Sequence, residues 1–388
     1  MIKDIEIFSY SFRVFFILAS MFAALLIPIW LSLLFSYWEI DTTFPLLFWH
    51  SHEMIFGFVA AAIAGFILTA MSTWTGKPPL NGWKLALLAL LWLLARFFIL
   101  FPSYFSNVQV ALLDLSFFIF LLLYVSWVII LSKNFRNLVM VLMLCILLFA
   151  NLIMHLGNIQ NDLVLLKRGE VLSINAVVLL MVIVAGRIIP AFTANWLKRV
   201  RDTNSFIISN KYIDALSIIS IVLVITADLF LGANNIFFLY LAAAFVNGYR
   251  LLGWKSWLCI NEPLLWVLHL AYAWIVLALF LRGMLPILNV ANSNAWVHAL
   301  GVGGMATMIL GVMTRVSLGH TGRQLILPKG AVLIYYLISI SALCRLIYGL
   351  GYTTNTNLLY ISAFTWSLSF ILFLFLYFKI LLYKRIDL

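Results

Sequence analysis

The chain has 388 residues, of which 65% are hydrophobic and only 10% charged. A soluble domain carries roughly half apolar and about a quarter charged residues, so a soluble enzyme is excluded. So is a nucleic-acid partner: the formal net charge of +11 is spread over short loops instead of one basic surface.

Apolar runs of about 18 residues or more recur from end to end, the pattern of an all-α, polytopic membrane protein in contact with the lipid bilayer. The short alternating segments of a β-barrel are absent from the sequence. About twelve transmembrane helices are expected, in a single domain over residues 1–388. Their cores fall at 14–36, 51–74, 84–101, 108–131, 137–156, 171–196, 212–231, 235–252, 262–282, 294–316, 331–349 and 357–379. The N-terminal run, with Lys3, Asp4, Glu6 and Arg13 before it, lacks a small-residue cleavage pattern and reads as a retained anchor. No connection is long enough for a soluble domain, and the longest polar one runs from Lys198 to Lys211. Cys145, Cys259 and Cys344 are scattered and odd in number, which points to neither a disulfide framework nor a thiolate metal site.

Loops on the side of the N-terminus hold Lys77, Lys133, Arg136, Lys198, Arg199, Arg250, Lys255, Arg323 and Lys329. The opposite loops offer little beyond Lys167, Arg168 and Arg282. This bias puts both termini on the cytoplasmic side. Alternation then places His50, His52, His155 and His298 in one outer layer, although they are far apart in sequence. His269 falls near mid-membrane, and His320 in an inner loop.

Ionisable groups inside a membrane are costly and point to function. Residues two apart on a helix diverge by about 200°, so His50 and His52 face different neighbours and serve different centres. Imidazole suits haem iron as an axial ligand, and copper as well, and no zinc signature is present. His50, His52 and His298 are the haem axial candidates; His155, His269 and His320 are candidates for a second haem or for copper. Equating His52 with His298 also matches Gly57 with Gly303 and Gly65 with Gly311, a short internal repeat. Each outer histidine has a plainer reading as an interfacial hydrogen bonder, and His269, near Trp266 and Tyr272, is more simply an interhelical one. Supporting polar groups are Glu53 and Asp114, as proton carriers or as acceptors for backbone amides, and Arg187, beside the kinking Pro190. Arg315 opens a basic patch through Arg323 suited to an anionic head group or a quinone head.

Three segments together resemble the NnrS family. They are Trp49-His50-Ser51-His52-Glu53-Met54-Ile55-Phe56-Gly57, the run from Gly186 through Arg187 and Pro190 to Trp196, and the run from His298 through Arg315 to Arg323. The resemblance extends over nearly the whole chain, including Asn151 to Gly157 and the segment around His269. It implies a twelve-span bacterial inner-membrane protein containing haem and copper and linked to nitric oxide, nitrosative stress and denitrification. The twelve spans also resemble the catalytic subunit of haem–copper oxidases, in which one helix offers two histidines two apart to two haems. His50, His52 and His298 would take those parts, but no adjacent histidine pair is present for the copper site. The function implied is a metal-dependent nitric-oxide-handling membrane protein, an oxidoreductase if it turns over, drawing electrons from a quinone or another donor. The alternatives are a multi-pass transporter, which would be colourless, and a haem-binding protective or sensor protein without turnover.

Overall fold

The structure is a computed structural model that describes residues 6–39, 41–201, 210–231, 236–290, 293–351 and 353–386. It is all-α among the described residues. In hydrocarbon every backbone amide must find its partner within its own segment, and Leu-, Ile-, Phe- and Ala-rich runs do this as helices. Among the described residues eleven helical segments are long and apolar enough to cross a membrane, and Phe237–Gly253 is a shorter apolar helix. The chain is therefore a polytopic membrane protein, as its composition indicates. The helices are α1 (Ser11–Leu34), α2 (Leu46–His52), α3 (Ala60–Thr75), α4 (Gly82–Leu100), α5 (Asn107–Leu131), α6 (Leu138–Ile159) and α7 (Leu163–Arg201). They continue as α8 (Lys211–Phe230), α9 (Phe237–Gly253), α10 (Pro263–Ile287), α11 (Ala295–His298), α12 (Thr307–Gly319), α13 (Val332–Gly349) and α14 (Asn357–Leu382).

Local chemistry sets several helix starts. Ser106 and Gln109 form a capping box at α5. Glu262 accepts from the Leu264 amide ahead of Pro263, a residue suited to a first turn, at α10. Asp162 accepts from the amides of Val164 and Leu165 at 2.9 and 3.0 Å, so α7 begins at Leu163, well before the expected core at 171. Lys167 and Arg168, expected in a loop, are exposed on its first turns, with Lys167 paired to Glu170 at 2.6 Å. The polar connection from Lys198 to Lys211 falls mostly outside the described residues.

The chain forms two compact units. The first comprises the residues up to Ala176, Val316–Gln324, and those from Phe373 onward; the second comprises Val177–Arg315 and Leu325–Leu372. In the first, α1 packs on the segment α2–α3. Phe15 and Phe16 press on Gly65, and the Phe12 amide and the Ser11 hydroxyl both meet the Thr69 hydroxyl. In the second, α10 packs in the same way on the segment α11–α12, with Trp274 against Gly303 and Val267 and Leu268 against Gly311. The glycines let large side chains lie directly on backbone, and an added methyl would collide with them.

Both segments contain a π-helical insert, Glu53–Val59 in one and Ala299–Ala306 in the other. Each insert starts on the residue after the histidine that the internal repeat aligns, His52 or His298. A π turn widens the helix and leaves carbonyls free for other donors, and such inserts concentrate at functional sites. The Trp92 indole N–H of α4 uses this opening to donate to the Gly57 carbonyl at 3.1 Å.

Candidate metal centre

The first unit buries a cluster of charged and polar side chains from four helical segments. His52 closes α2 and Glu53 opens the π insert, Arg96 comes from α4, Asp114 from α5, and Asn151 and His155 from α6. Asn151 and His155 are four residues apart, so they project from one face. His52 is 0%, Asp114 1% and His155 1% exposed.

Asp114 is the hub. One carboxylate oxygen takes the Arg96 guanidinium. The other accepts from Asn151 Nδ2 at 2.7 Å and from His155 Nε2 at 3.0 Å, and lies 3.3 Å from His52 Nε2. Because Asn151 donates to Asp114, its amide oxygen is left for His52 Nε2, at 2.9 Å. His52 Nδ1 meets Glu53 Oε1 at 2.9 Å, and that oxygen also accepts from Arg96 at 2.6 Å. Phe44 stacks on the His52 ring at 4.5 Å, Phe56 tilts against it and His155 meets it edge-on. Two carboxylates thus face one guanidinium. The excess negative charge, held out of water, is neutralised by a proton on His52 or by a bound cation.

The geometry fits a small ion. Ligands about 2.1 Å from a metal stand about 3.0–3.4 Å from one another. Both histidine Nε2 atoms approach one Asp114 oxygen at 3.0 and 3.3 Å, and ligand atoms of all three residues lie within 4.8 Å of one another. Two imidazoles and a carboxylate are a donor set used by redox-active ions, with copper and ferrous iron both accepted. Haem does not fit at His52, because Phe44, Asn151, Asp114 and His155 fill the space a macrocycle would need.

The other candidates are not members of this cluster. His50 is half-buried and stacks on Trp30 at 4.3 Å. His298 belongs to the second unit, where its Nδ1–H donates to the Asn294 carbonyl at 2.8 Å. His269 is buried in that unit; the Thr193 hydroxyl, which already donates to the Ile189 carbonyl, accepts from its Nε2–H at 3.0 Å. Arg187 is half-buried on α7, and Arg315 lies over the Phe192 ring at 4.0 Å.

His320 follows α12 in the first unit and tilts against Phe12 at 5.9 Å. Burial pushes its pKa below the usual histidine value, and the Arg385 charge pushes it the same way. The folded protein therefore favours the neutral ring. That contribution to stability is complete above the unfolded value of about 6.5 and is lost as pH falls below it. Thermal unfolding in detergent should accordingly show a smaller drop in Tm between pH 7.5 and 5.5 for His320→Gln than for the unaltered chain.

Arg96 had no place in the sequence reading, although the rule that intramembrane charges pair would have sent it to Asp114 or Glu53. The second unit holds a further network that the sequence did not announce. Arg250 donates to Asp214 at 2.7 Å, to the Val182 carbonyl at 2.9 Å and to the Tyr272 hydroxyl at 3.1 Å. The Tyr272 hydroxyl in turn donates to the Asn247 Oδ1 at 2.6 Å, and the Arg250 guanidinium lies directly on Gly186.

Comparison with curated proteins finds no match. The NnrS protein family does match, over residues 6–385, so nearly the whole length that carries these helices and the His52–Asp114–His155 cluster is covered, and the chain belongs to that family.

Proposed function

We propose that this chain handles nitric oxide at a metal centre formed by His52, His155 and Asp114. The observation that carries the reading is the approach of two imidazole nitrogens to one carboxylate oxygen, at 3.0 and 3.3 Å, in a place closed to water. The family supplies the link to nitric oxide stress, and the charge bias of the loops supplies the orientation. In this reading the protein sits in the bacterial inner membrane with both termini cytoplasmic and the centre near the outer face. Copper is the favoured ion, with ferrous iron the competitor for the same donor set.

His52, His155 and Asp114 would hold a redox-active ion there, and such an ion would supply a binding point for the diatomic gas and a one-electron couple. The protein side chains do the rest. Arg96 and Asn151 orient Asp114 and limit its rotation, as outer partners of a ligand do. Glu53 holds the far nitrogen of His52 and fixes the ring. Phe44 and Phe56 exclude water from the His52 ring. Turnover as an oxidoreductase requires an electron donor, a quinol or another membrane reductant.

Metal analysis of the purified protein tests the reading. About one copper or iron per chain is expected, falling to about a tenth or less in His52→Ala and His155→Ala. His155→Gln keeps a donor for Asp114 and so separates loss of metal from loss of fold. Purified chain without either metal, or with unchanged content in all three variants, would overturn the assignment. The same preparations locate the haem that the family resemblance implies. A Soret band that survives in His52→Ala but vanishes in His298→Ala would put haem away from the cluster.

A further inference from the structure

The second unit contains a cavity of about 170 Å³ that the metal centre does not use. It lies where the C-terminal ends of α7 and α12 meet the start of α10. Its walls include Phe192, Asn195, Trp196 and Arg199 of α7, Glu262 just before α10, and Arg315 of α12. These residues sit at the ends of three apolar spans, the depth at which tryptophan and long cationic side chains collect in membranes.

Two guanidiniums and one carboxylate give this space a net charge of +1. The Phe192 ring lies against the Arg315 guanidinium at 4.0 Å, and among the described residues no acceptor takes its N–H groups. Glu262 is partly committed elsewhere, because one of its oxygens accepts from the Leu264 amide at 3.3 Å. Among the described residues neither Arg199 nor Arg315 forms an ion pair. Glu262 offsets only one of the two like charges around this space, so one positive charge is left for an anion, and planar guanidiniums match the oxygens of a phosphate. The volume suits one such group and is too small for a whole drug-sized ligand.

We propose that this cavity binds a phosphate group, carried either by an anionic phospholipid or by free phosphate. The carboxylate of Glu262 tunes the site toward a single negative charge, which is the charge of a phospholipid diester. The site is independent of the metal centre, and its failure would leave that centre untouched.

The test uses full-length protein in a zwitterionic detergent, with binding followed by native mass spectrometry and by thermal shift. The probes are phosphatidylglycerol, phosphatidylcholine and inorganic phosphate. Phosphatidylglycerol should bind and raise Tm, phosphatidylcholine should not, and Arg199→Gln combined with Arg315→Gln should weaken binding about tenfold or more. Glu262→Gln keeps a carbonyl for the Leu264 amide but removes the opposing charge, so it should tighten binding severalfold; a misfolded variant would not do that. Competition by inorganic phosphate identifies the free anion as a ligand, and its absence identifies the lipid head group. No response of the unaltered chain to either anion, equal response in the arginine variants, or a response to a quinol analogue alone would overturn the proposal.

Discussion

Asp114→Ala should destabilise the protein by about 3–5 kcal/mol, because it removes the hub of a buried charge network and leaves its partners buried. Arg96, Asn151 and His155 all donate to this carboxylate, and His52 lies within 3.3 Å of it. None of them can turn to water, since each is at most 7% exposed. Unfolding in mixed micelles, followed by far-UV circular dichroism, measures the loss. Arg96 keeps Glu53 as a partner in Asp114→Ala, so Arg96→Met with Asp114→Leu, which strips buried Glu53 of its guanidinium, should be no less damaging than Asp114→Ala alone. A loss below about 1 kcal/mol for Asp114→Ala would mean that the cluster is not the internal support described above.

The second large effect belongs to the other unit. Arg250→Ala should cost about 3 kcal/mol, discounted from a fully buried pair because Asp214 is 27% exposed. The lost interactions include the bonds to the Val182 carbonyl and the Tyr272 hydroxyl, both buried. Gly186→Ala attacks the same network from the opposite side. A methyl group at Gly186 would occupy the position of the guanidinium, which must then move, at a cost of about 1–3 kcal/mol. Once Arg250 is alanine, the obstruction is gone and the methyl should be close to neutral. A double-mutant cycle reads that coupling directly. If the two costs simply add, Gly186 and Arg250 do not share the contact described here.

The internal repeat shows how far a sparse pattern can reach. Two matched glycine pairs aligned His52 with His298, and the structure places a π insert directly after each of these histidines. Glycine is called for at these positions because any side chain at Gly65 or Gly311 would strike the neighbouring helix. The π turn has no such signature. It depends on the packing of α1 or α10 against the widened segment, which no local residue preference encodes.

What the sequence determined alone was the membrane architecture and its segmentation. A span needs a continuous apolar run of about 20 residues, a property of consecutive positions that requires no knowledge of neighbours. The divergence of His50 from His52 was legible for the same reason, since helix geometry fixes the angle between near residues. The composition of the centre was decided only by tertiary structure. In the sequence Asp114 and Glu53 read as proton carriers or amide acceptors, Arg96 carries no signal of its own, and His155 and His298 look equivalent at one depth. Packing joined His155 to His52 through Asp114, stacked His50 on Trp30, and placed His298 in the second unit. Depth in a membrane is one coordinate and can be counted along a span. The rotation of each helix and its choice of neighbours come from side-chain packing between distant segments, and these decide which buried charges meet.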